Sequence, residues 1–254
     1  MADWSDWPMN NDVFWQKDEK IIGVLGLCPV ATADFYTKLV SRVTKKDWLY
    51  PRVLLDINSK IPSRGRFFSL GETDPVPYIK KGIEELSFRG ADFVVIPCNT
   101  AHALYDRFAC NLPVPVPNIL DITTISAIKQ GVKRPLILGT STTREQKLYE
   151  ETFAHFDIEI IHFPEQKLIS EGIEAVKQNL DSLNTAKTIC GIIDTFHNID
   201  SVIFGCTEIS VLMNPIRLSH FTKNIVIDSN QELAEFCMDF ISSSTIDSRI
   251  RMFA

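Results

Sequence analysis

The sequence has little of what marks several protein classes. Its 254 residues include only 11 glycines and 13 prolines, too few for a collagenous or low-complexity chain. It has no glycine-rich phosphate loop, and no apolar run approaches the roughly 20 residues that a transmembrane helix needs. Lys and Arg total 26 against 32 Asp and Glu, a net charge of −6. We therefore predict a globular protein that binds neither nucleic acid nor a membrane, since both partners select clustered positive charge.

Cysteine is also scarce. Six cysteines are too few for a disulfide scaffold, and the N-terminus lacks the basic and apolar regions of a secretory signal. We therefore predict free thiols and a cytoplasmic location. We predict that residues 1–19, which are acidic and polar and include three tryptophans, form a leader.

From residue 20 onward, short apolar segments alternate with amphipathic helical patterns. Such alternation predicts an α/β fold with mostly parallel sheets flanked by helices. The pattern repeats in residues 20–117 and 118–228, and each half begins with a strand that ends in glycine, Gly26 and Gly139. We predict two pseudo-symmetric lobes with the active site in the cleft between them. A last helix within 229–254 should pack back on the first lobe.

Two cysteines occupy matched places in the two halves. Cys98 follows the apolar segment VVIP and Cys206 follows SVIFG, each at a predicted strand-to-helix turn. Ligands of parallel α/β sheets bind beyond the carboxyl ends of the strands, and a helix N-terminus favours thiolate. One buried cysteine usually only packs, but the matched pair favours two reactive thiols that face one cleft.

Other polar residues permit more than one interpretation. Thr100 and Thr143 stand where helices are predicted to begin, so capping alone explains them, although a capping threonine can also bind an anion. Arg64, in a long loop predicted over 62–77, and Lys177, in a helix, are either surface charges or ligands of a carboxylate.

Metal binding and hydrolysis are weaker hypotheses. Cys98 and His102 are four residues apart and could share a helix face. Zinc sites commonly combine two such short pairs, and this sequence has no CxxC pair. We therefore predict no metal.

Four segments together resemble the aspartate/glutamate racemase superfamily, and within it the aspartate racemase branch. The resemblance covers about residues 20–240. Its segments are GLCPVAT (26–32), PCNTAH (97–102), LGTSTTREQKLY (138–149) and FGCTEIS (204–210). GCTEI in place of a GCTH sequence points away from glutamate racemases.

This resemblance implies a cofactor-independent amino-acid racemase, acting on aspartate, that forms a homodimer. One Cys thiolate would remove the Cα proton while the other thiol protonates the opposite face, so Cys98 and Cys206 would be the acid/base pair. Arg64 and Lys177 would bind the side-chain carboxylate, with Asn58 a weaker candidate. The residues implied to hold the α-carboxylate and ammonium are Asn99, Thr100, Thr143 and Thr207.

The chain departs from the superfamily at its first loop. Gly26-Leu27-Cys28-Pro29 stands where Gly-Gly-x-Gly-Pro is usual, so two glycines are lost and Cys28 fills the space. Arg64-Gly65 replaces the usual Arg-Thr. The alternatives are a racemase of glutamate or another amino acid, a one-base lyase or isomerase of the superfamily, a Cys98/His102 hydrolase, and an amino-acid sensor without activity.

Overall fold

The computed structural model describes residues 19–43, 50–216, 220–221 and 225–242, so nearly all of the predicted leader lies outside the described residues. The elements in chain order are β1 (Ile22–Gly26), α1 (Pro29–Val40), β2 (Val53–Ile57), α2 (Arg64–Leu70), α3 (Val76–Phe88), β3 (Phe93–Val95), a 3₁₀ helix (Asn99–Leu104), α4 (Tyr105–Phe108), α5 (Ile119–Lys129), β4 (Pro135–Leu138), α6 (Ser141–Glu145), α7 (Leu148–Ala154), β5 (Ile161–His162), α8 (Gln166–Lys177), α9 (Leu183–Ile193), β6 (Ser201–Phe204), α10 (Thr207–Met213), β7 (Ile225–Asp228) and α11 (Ser229–Ser242).

The described strands form two parallel sheets. The first has the order β2-β1-β3 and the second the order β5-β4-β6-β7. Every residue of β1, β3, β4 and β6 is buried, as expected of parallel strands that are covered by helices on both faces. The predicted α/β fold with two parallel sheets is confirmed.

The predicted loop over 62–77 contains a helix that the sequence pattern did not indicate. Ser63 caps α2 by accepting a hydrogen bond from the Arg66 backbone N–H, and Gly71 ends it in the left-handed region, at φ 64°. Glycine adopts that conformation without a Cβ clash. The many Gly, Pro and Ser residues of this segment therefore mark the ends of a short helix.

The helix predicted to begin at Thr143 begins two residues earlier, at Ser141, and is broken into α6 and α7. Lys147 interrupts it with a left-handed φ of 52°. The cap of α6 is Thr140, whose hydroxyl accepts from the Thr143 N–H, so Thr143 lies inside the first turn. The prediction that Thr143 caps this helix is therefore wrong, because Thr140 is the cap.

Matched glycines close the first strand of each sheet. A Cβ on Gly26 would come within 2.5 Å of the Thr32 side chain, and one on Gly139 within 2.7 Å of Thr143. Contacts under 3.0 Å are excluded for a real Cβ, so both positions require glycine. The two lobes thus build the same turn with the same two residue types.

The lobes pack on each other through α1, α5 and α11. The Phe240 ring of α11 lies 4.6 Å from that of Phe93, in β3 of the first sheet. A buried polar network adds to this contact, because Lys38 Nζ lies 2.6 Å from Asp34 Oδ2 and 2.9 Å from Asp228 Oδ2. Lys38 belongs to α1 and Asp228 to β7, so the network joins the two lobes. None of the described helices is both long and apolar enough to span a membrane.

Candidate active site

Cys98 lies at the carboxyl end of the first sheet. The chain leaves β3 in extended conformation, and half-buried Cys98 is the N-cap of the 3₁₀ helix, with φ −159° and ψ 102°. His102 Nδ1 is 2.9 Å from the Cys98 carbonyl oxygen. A carbonyl only accepts, so the ring donates from Nδ1. Burial lowers the pKa of His102 to about 4, which keeps the ring neutral.

This geometry gives His102 a structural task. Its Nδ1 proton is committed to the backbone of Cys98, and Nε2 is buried. The imidazole therefore does not stand as a base beside the Cys98 thiol. The structure offers no support for the hydrolase hypothesis.

Cys206 lies at the matched place in the second sheet. It follows β6 in extended conformation, with φ −149° and ψ 132°, and is the N-cap of α10. Its side chain is only 4% exposed, and Sγ donates to Glu208 Oε2 at 3.1 Å. Burial first, and then the charge of Glu208, raise the Cys206 pKa well above its usual value. Cys206 therefore rests as a thiol, the form that can donate a proton.

Hydrogen bonds between side chains bring the two turns together. Asn99, next to Cys98, donates from Nδ2 to Ser229 Oγ at 2.8 Å, and Ser229 donates to the Phe204 carbonyl at 2.8 Å. Phe204 is the last residue of β6, two before Cys206. Tyr149 completes the link by donating to Asn99 Oδ1 at 2.7 Å. The carboxyl ends of β3 and β6 therefore face one another.

Three threonines line the same edge. Thr100 Oγ1 lies 3.3 Å from Thr140 Oγ1, which lies 2.9 Å from Thr143 Oγ1. Thr143 is fully buried and Thr100 half-buried. The contact joins a helix start of the first lobe to one of the second. Hydroxyl groups gathered at helix starts in this way suit a carboxylate.

Arg64 is held at this edge by α2, which packs against α6 and the 3₁₀ helix. Its Nη1 donates to the Pro62 carbonyl at 3.1 Å. Its Nε is buried and has no hydrogen-bond partner. A Cβ on the next residue, Gly65, would lie 4.0 Å from Thr142 Oγ1 in α6, which shows how closely α2 approaches the second lobe. A buried donor without a partner is costly unless a ligand satisfies it.

Thr207 and Asn58, which the resemblance also implies as ligands, lie in different parts of the structure. Thr207 is buried at the first turn of α10 and donates to Glu208 Oε2 at 3.2 Å. Asn58 follows β2, and its Oδ1 accepts from the Lys60 N–H at 3.1 Å, which shapes the chain that leads to Arg64.

Lys177 is not brought to this edge. It is the last residue of α8 and is exposed. The other end of α8 touches the site, because Gln166 Nε2 donates to the Gly139 carbonyl at 3.1 Å. A helix rises 1.5 Å per residue, so Lys177 lies about 16 Å further along the axis.

Sequence reasoning missed four residues that build this site: Thr140, Tyr149, Glu208 and Ser229. A signal was present for two of them. Tyr149 stands on an apolar helix face, where its hydroxyl needs a partner, and Glu208 follows Cys206 by two residues at a helix start. Among the residues that the structure describes, no group of three or more His, Cys, Asp or Glu could hold a metal ion.

A sequence model of one family, described as Asp/Glu/Hydantoin racemase, matches residues 23–237. The broad specificity amino-acid racemase RacX of Bacillus subtilis is 27% identical over 227 residues, which are 85% of this chain and 95% of that protein. A glutamate racemase of Sulfurihydrogenibium sp. is 27% identical over 202 residues, covering 72% of this chain and 75% of the relative.

Solved structures show the same similarity. The aspartate racemase of Picrophilus torridus superposes with a TM-score of 0.80 at 29% identity, covering 88% of this chain and 94% of that one. The glutamate racemase isoform RacE1 of Bacillus anthracis shares the fold, with a TM-score of 0.68 at 20% identity over 91% of this chain and 86% of its own.

Proposed function

The chain belongs to the Asp/Glu/Hydantoin racemase family, a family of isomerases, and we propose that it racemises aspartate with Cys98 and Cys206 as its two acid/base groups. One observation carries this proposal. Two cysteines cap helices at the carboxyl ends of β3 and β6, and the Asn99–Ser229 hydrogen bond holds those ends face to face.

The reaction needs an acid and a base on opposite sides of one carbon. The thiolate of one cysteine takes the Cα proton and becomes a thiol, and the electron pair of the broken C–H bond passes into the α-carboxylate. The thiol of the other cysteine then gives its proton to the opposite face and becomes a thiolate. After one turnover the two cysteines have exchanged protonation states, and either turnover of the product enantiomer in the reverse direction or proton exchange with solvent restores them.

The Cα–H bond is a very weak acid, so the site must stabilise the charge that develops on the carboxylate. Hydrogen-bond donors fixed in advance do this without reorganisation. We assign such donors to Asn99, Thr100 and Thr143 beside the Cys98 turn, and to the helix-start N–H of Thr207 beside Cys206. The link among Thr100, Thr140 and Thr143 fixes these hydroxyls in one place.

The preference for an acidic substrate depends on Arg64. Its buried Nε lacks a partner, and a guanidinium can hold a carboxylate through two parallel hydrogen bonds. Asn58 shapes the loop that carries Arg64 and is a weaker ligand candidate. Lys177 lies too far along α8 to share this task, so Arg64 is the cation that we assign to the side-chain carboxylate.

Proton exchange at Cα tests the proposal. The protein is incubated with L-aspartate in D₂O without added cofactor, and the Cα signal and the enantiomer ratio are followed by NMR and chiral chromatography. We expect deuterium uptake together with D-aspartate. The variant Cys110→Ala, which changes an exposed cysteine, is the matched control and should behave as the wild type. Deuterium uptake without inversion would contradict the two-base mechanism.

A broader substrate range is the second candidate. It is favoured by the similarity to RacX, by the position of Lys177, and by the altered first loop at Cys28. Glutamate and a panel of neutral amino acids under the same conditions separate the two candidates. No exchange with any amino acid would overturn both, and a rise in melting temperature with aspartate would then indicate a sensor. The homodimer and the cytoplasmic location stay predictions.

A further inference from the structure

One tyrosine contacts both cysteine turns, and the proposed mechanism gives it no part. Tyr149 lies in the first turn of α7 and is fully buried. Its ring covers Gly205, the residue before Cys206, because a Cβ built on that glycine would come within 2.8 Å of the ring carbon Cε2. Its hydroxyl donates to Oδ1 of Asn99, the residue after Cys98, at 2.7 Å. A single side chain therefore reaches the two segments that carry the thiols.

The hydrogen bonds that begin at this hydroxyl run in one direction only. The Phe204 carbonyl accepts and cannot donate, so the Ser229 hydroxyl must donate to it. Ser229 has then used its one hydrogen and accepts from Asn99, which presents Nδ2 to it. Asn99 Oδ1 is left to face Tyr149, and an amide oxygen only accepts. The carbonyl at the end of the chain of hydrogen bonds thus fixes the direction of every bond in it.

The side chains in this chain of hydrogen bonds are shielded from water. Asn99, Tyr149 and Ser229 are each no more than 1% exposed. Burial raises the pKa of the Tyr149 phenol well above its usual value, so the hydroxyl keeps the proton that it donates. A buried amide cannot replace a lost partner with water. The placement of Asn99, and with it that of the Cys98 turn, therefore depends on the Tyr149 hydroxyl.

The break between α6 and α7 lies directly before this tyrosine. Lys147 takes the left-handed conformation two residues before Tyr149, although it is not a glycine. Proteins retain such a conformation mainly where the surrounding structure requires it. Here the break lets α6 keep Thr143 at the threonine edge while the separate helix α7 carries Tyr149 to Gly205 and Asn99.

We propose that Tyr149 is a positioning residue for the two-base reaction: its ring holds the Cys206 turn and its hydroxyl holds the Cys98 turn, so this one side chain sets the separation of the two thiols. Because it is fully buried, Tyr149 acts without touching the substrate. The inference rests on the proposed function, since the separation matters only if both thiols exchange protons with one carbon. Proton transfer needs close approach, so a small misplacement lowers its rate.

The partition between inversion and exchange in D₂O tests this inference. Once one thiolate has removed the Cα proton of L-aspartate, the opposite thiol can deliver a deuteron and invert the carbon. Alternatively, the first cysteine exchanges its proton with solvent and returns a deuteron to the same face. The ratio of D-aspartate to α-deuterated L-aspartate, from initial rates with the full-length protein, reports the placement of the opposite thiol. The folded fraction of the protein cancels in this ratio, so a loss of stability alone does not change it.

Tyr149→Phe keeps the ring on Gly205 and removes only the hydroxyl. We expect the ratio to fall about fivefold, since Asn99 Oδ1 loses its buried donor. Tyr149→Leu removes the ring contact as well and should lower the ratio further. Tyr105→Phe is the matched control, because the Tyr105 hydroxyl donates to the Val116 carbonyl at 2.6 Å and takes no part in the chain of hydrogen bonds. Its ratio should equal that of the wild type.

Ser229→Ala shows whether the hydroxyl acts through Asn99. This variant removes the other partner of the amide and should shift the ratio in the same direction. Combined with Tyr149→Phe, it should lower the ratio by less than the product of the two single effects, because both changes act on one side chain. Fully multiplicative effects would contradict the role of Asn99 as the link.

An unchanged ratio in Tyr149→Phe would overturn the inference and leave this residue a purely structural role. An equal fall in Tyr105→Phe would do the same. So would a joint loss of exchange and inversion in a folded Tyr149→Phe variant, because the hydroxyl would then act on proton removal itself. Failure of the proposed function differs from all of these, since the wild type would then racemise no amino acid, and the inference would fall with it.

Discussion

The two lobes build the same turn and place unlike thiols on it. Cys98 and Cys206 are both extended N-cap residues that follow a buried strand. Cys98 is half-buried and is held by a neutral histidine, whereas Cys206 is buried and lies against a carboxylate. Equal backbone geometry therefore does not give equal surroundings, and at Cys206 burial and the neighbouring Glu208 raise the pKa of the thiol.

The lobes also differ in the cation that they bring to the cleft. The first lobe supplies Arg64 on a short helix that reaches the second lobe. The second lobe has Lys177 at the far end of α8. In the proposed site, the pseudo-symmetry of the backbone thus does not extend to substrate binding, because Arg64 of the first lobe is the cation that we assign to the substrate.

Removing one thiol at a time should have the largest effect. Cys98→Ala and Cys206→Ala should each lower racemisation about a thousandfold, since each removes one of two required proton-transfer groups. The two variants distinguish the roles of the two lobes, because in each variant the remaining thiol faces only one side of Cα. Each should still exchange the Cα proton of one enantiomer in D₂O, and the two variants should select opposite enantiomers. Turnover near the wild-type value in either variant would contradict the mechanism.

The contact between the lobes should depend on Lys38. Lys38→Met removes the cation that lies between half-buried Asp34 and buried Asp228, and we expect a loss of about 3 kcal/mol in the free energy of unfolding. Urea denaturation measures it. Lys81→Met is the matched control, because Lys81 is 74% exposed and also pairs with a carboxylate four residues away. An equal, small loss in both variants would show that the lobes do not rely on this network.

The histidine beneath Cys98 should make the first lobe sensitive to acid. The pKa of His102 is about 4 in the folded protein, against an ordinary value of 6.5. The unfolded chain therefore binds more protons between these values, and stability falls as the pH falls from 6.5 to 4. Over this window the loss should be about 3 kcal/mol or less.

His102→Asn should remove this part of the pH dependence, because the amide still donates to the Cys98 carbonyl but does not titrate. Denaturation curves at pH 4.5 and pH 7 measure the difference. His197→Asn changes an exposed histidine and is the control. An unchanged pH dependence in His102→Asn would show that the ring is not buried in its neutral form.

Substrate affinity should show the smallest effect. Arg64→Met removes the guanidinium that we assign to the side-chain carboxylate, so KM for aspartate should rise about tenfold with little change in melting temperature. Lys177→Met should leave KM within about twofold, given its distance along α8. Arg66→Met, on the exposed face of α2, is the control. A larger rise in KM for Lys177→Met than for Arg64→Met would contradict the proposal that the first lobe supplies the substrate-binding cation.

Much of the fold could be predicted from the sequence, because the signals are local. Apolar segments of parallel-strand length alternate with helical periodicity, and both sheets follow from that pattern. The paired Cys98 and Cys206 were found because each follows such a segment. The break at Lys147 and the helix within 62–77 were missed, since a left-handed residue and a Ser cap carry weak sequence signals.

The site itself was only partly predictable. Thr100 and Thr143 were singled out by their positions at helix starts and Asn99 by the family resemblance, and all three lie at one edge of the structure. Glu208 was visible beside Cys206, but nothing in the sequence shows that its carboxylate accepts from the buried Cys206 thiol. Lys177 was expected at the site, but it is the last residue of α8, whose first residue is the one that contacts the site.

The sequence by itself determined the backbone: which segments become parallel strands, where they end, and that a cysteine stands at two of those ends. These features depend on hydrophobic periodicity and on turn residues, which act over a few positions. Only the tertiary structure decided the chemistry of each thiol. Burial, which comes from helix packing such as that of α1 on α10, is the first cause that raises the pKa of Cys206, and the Glu208 carboxylate is the second.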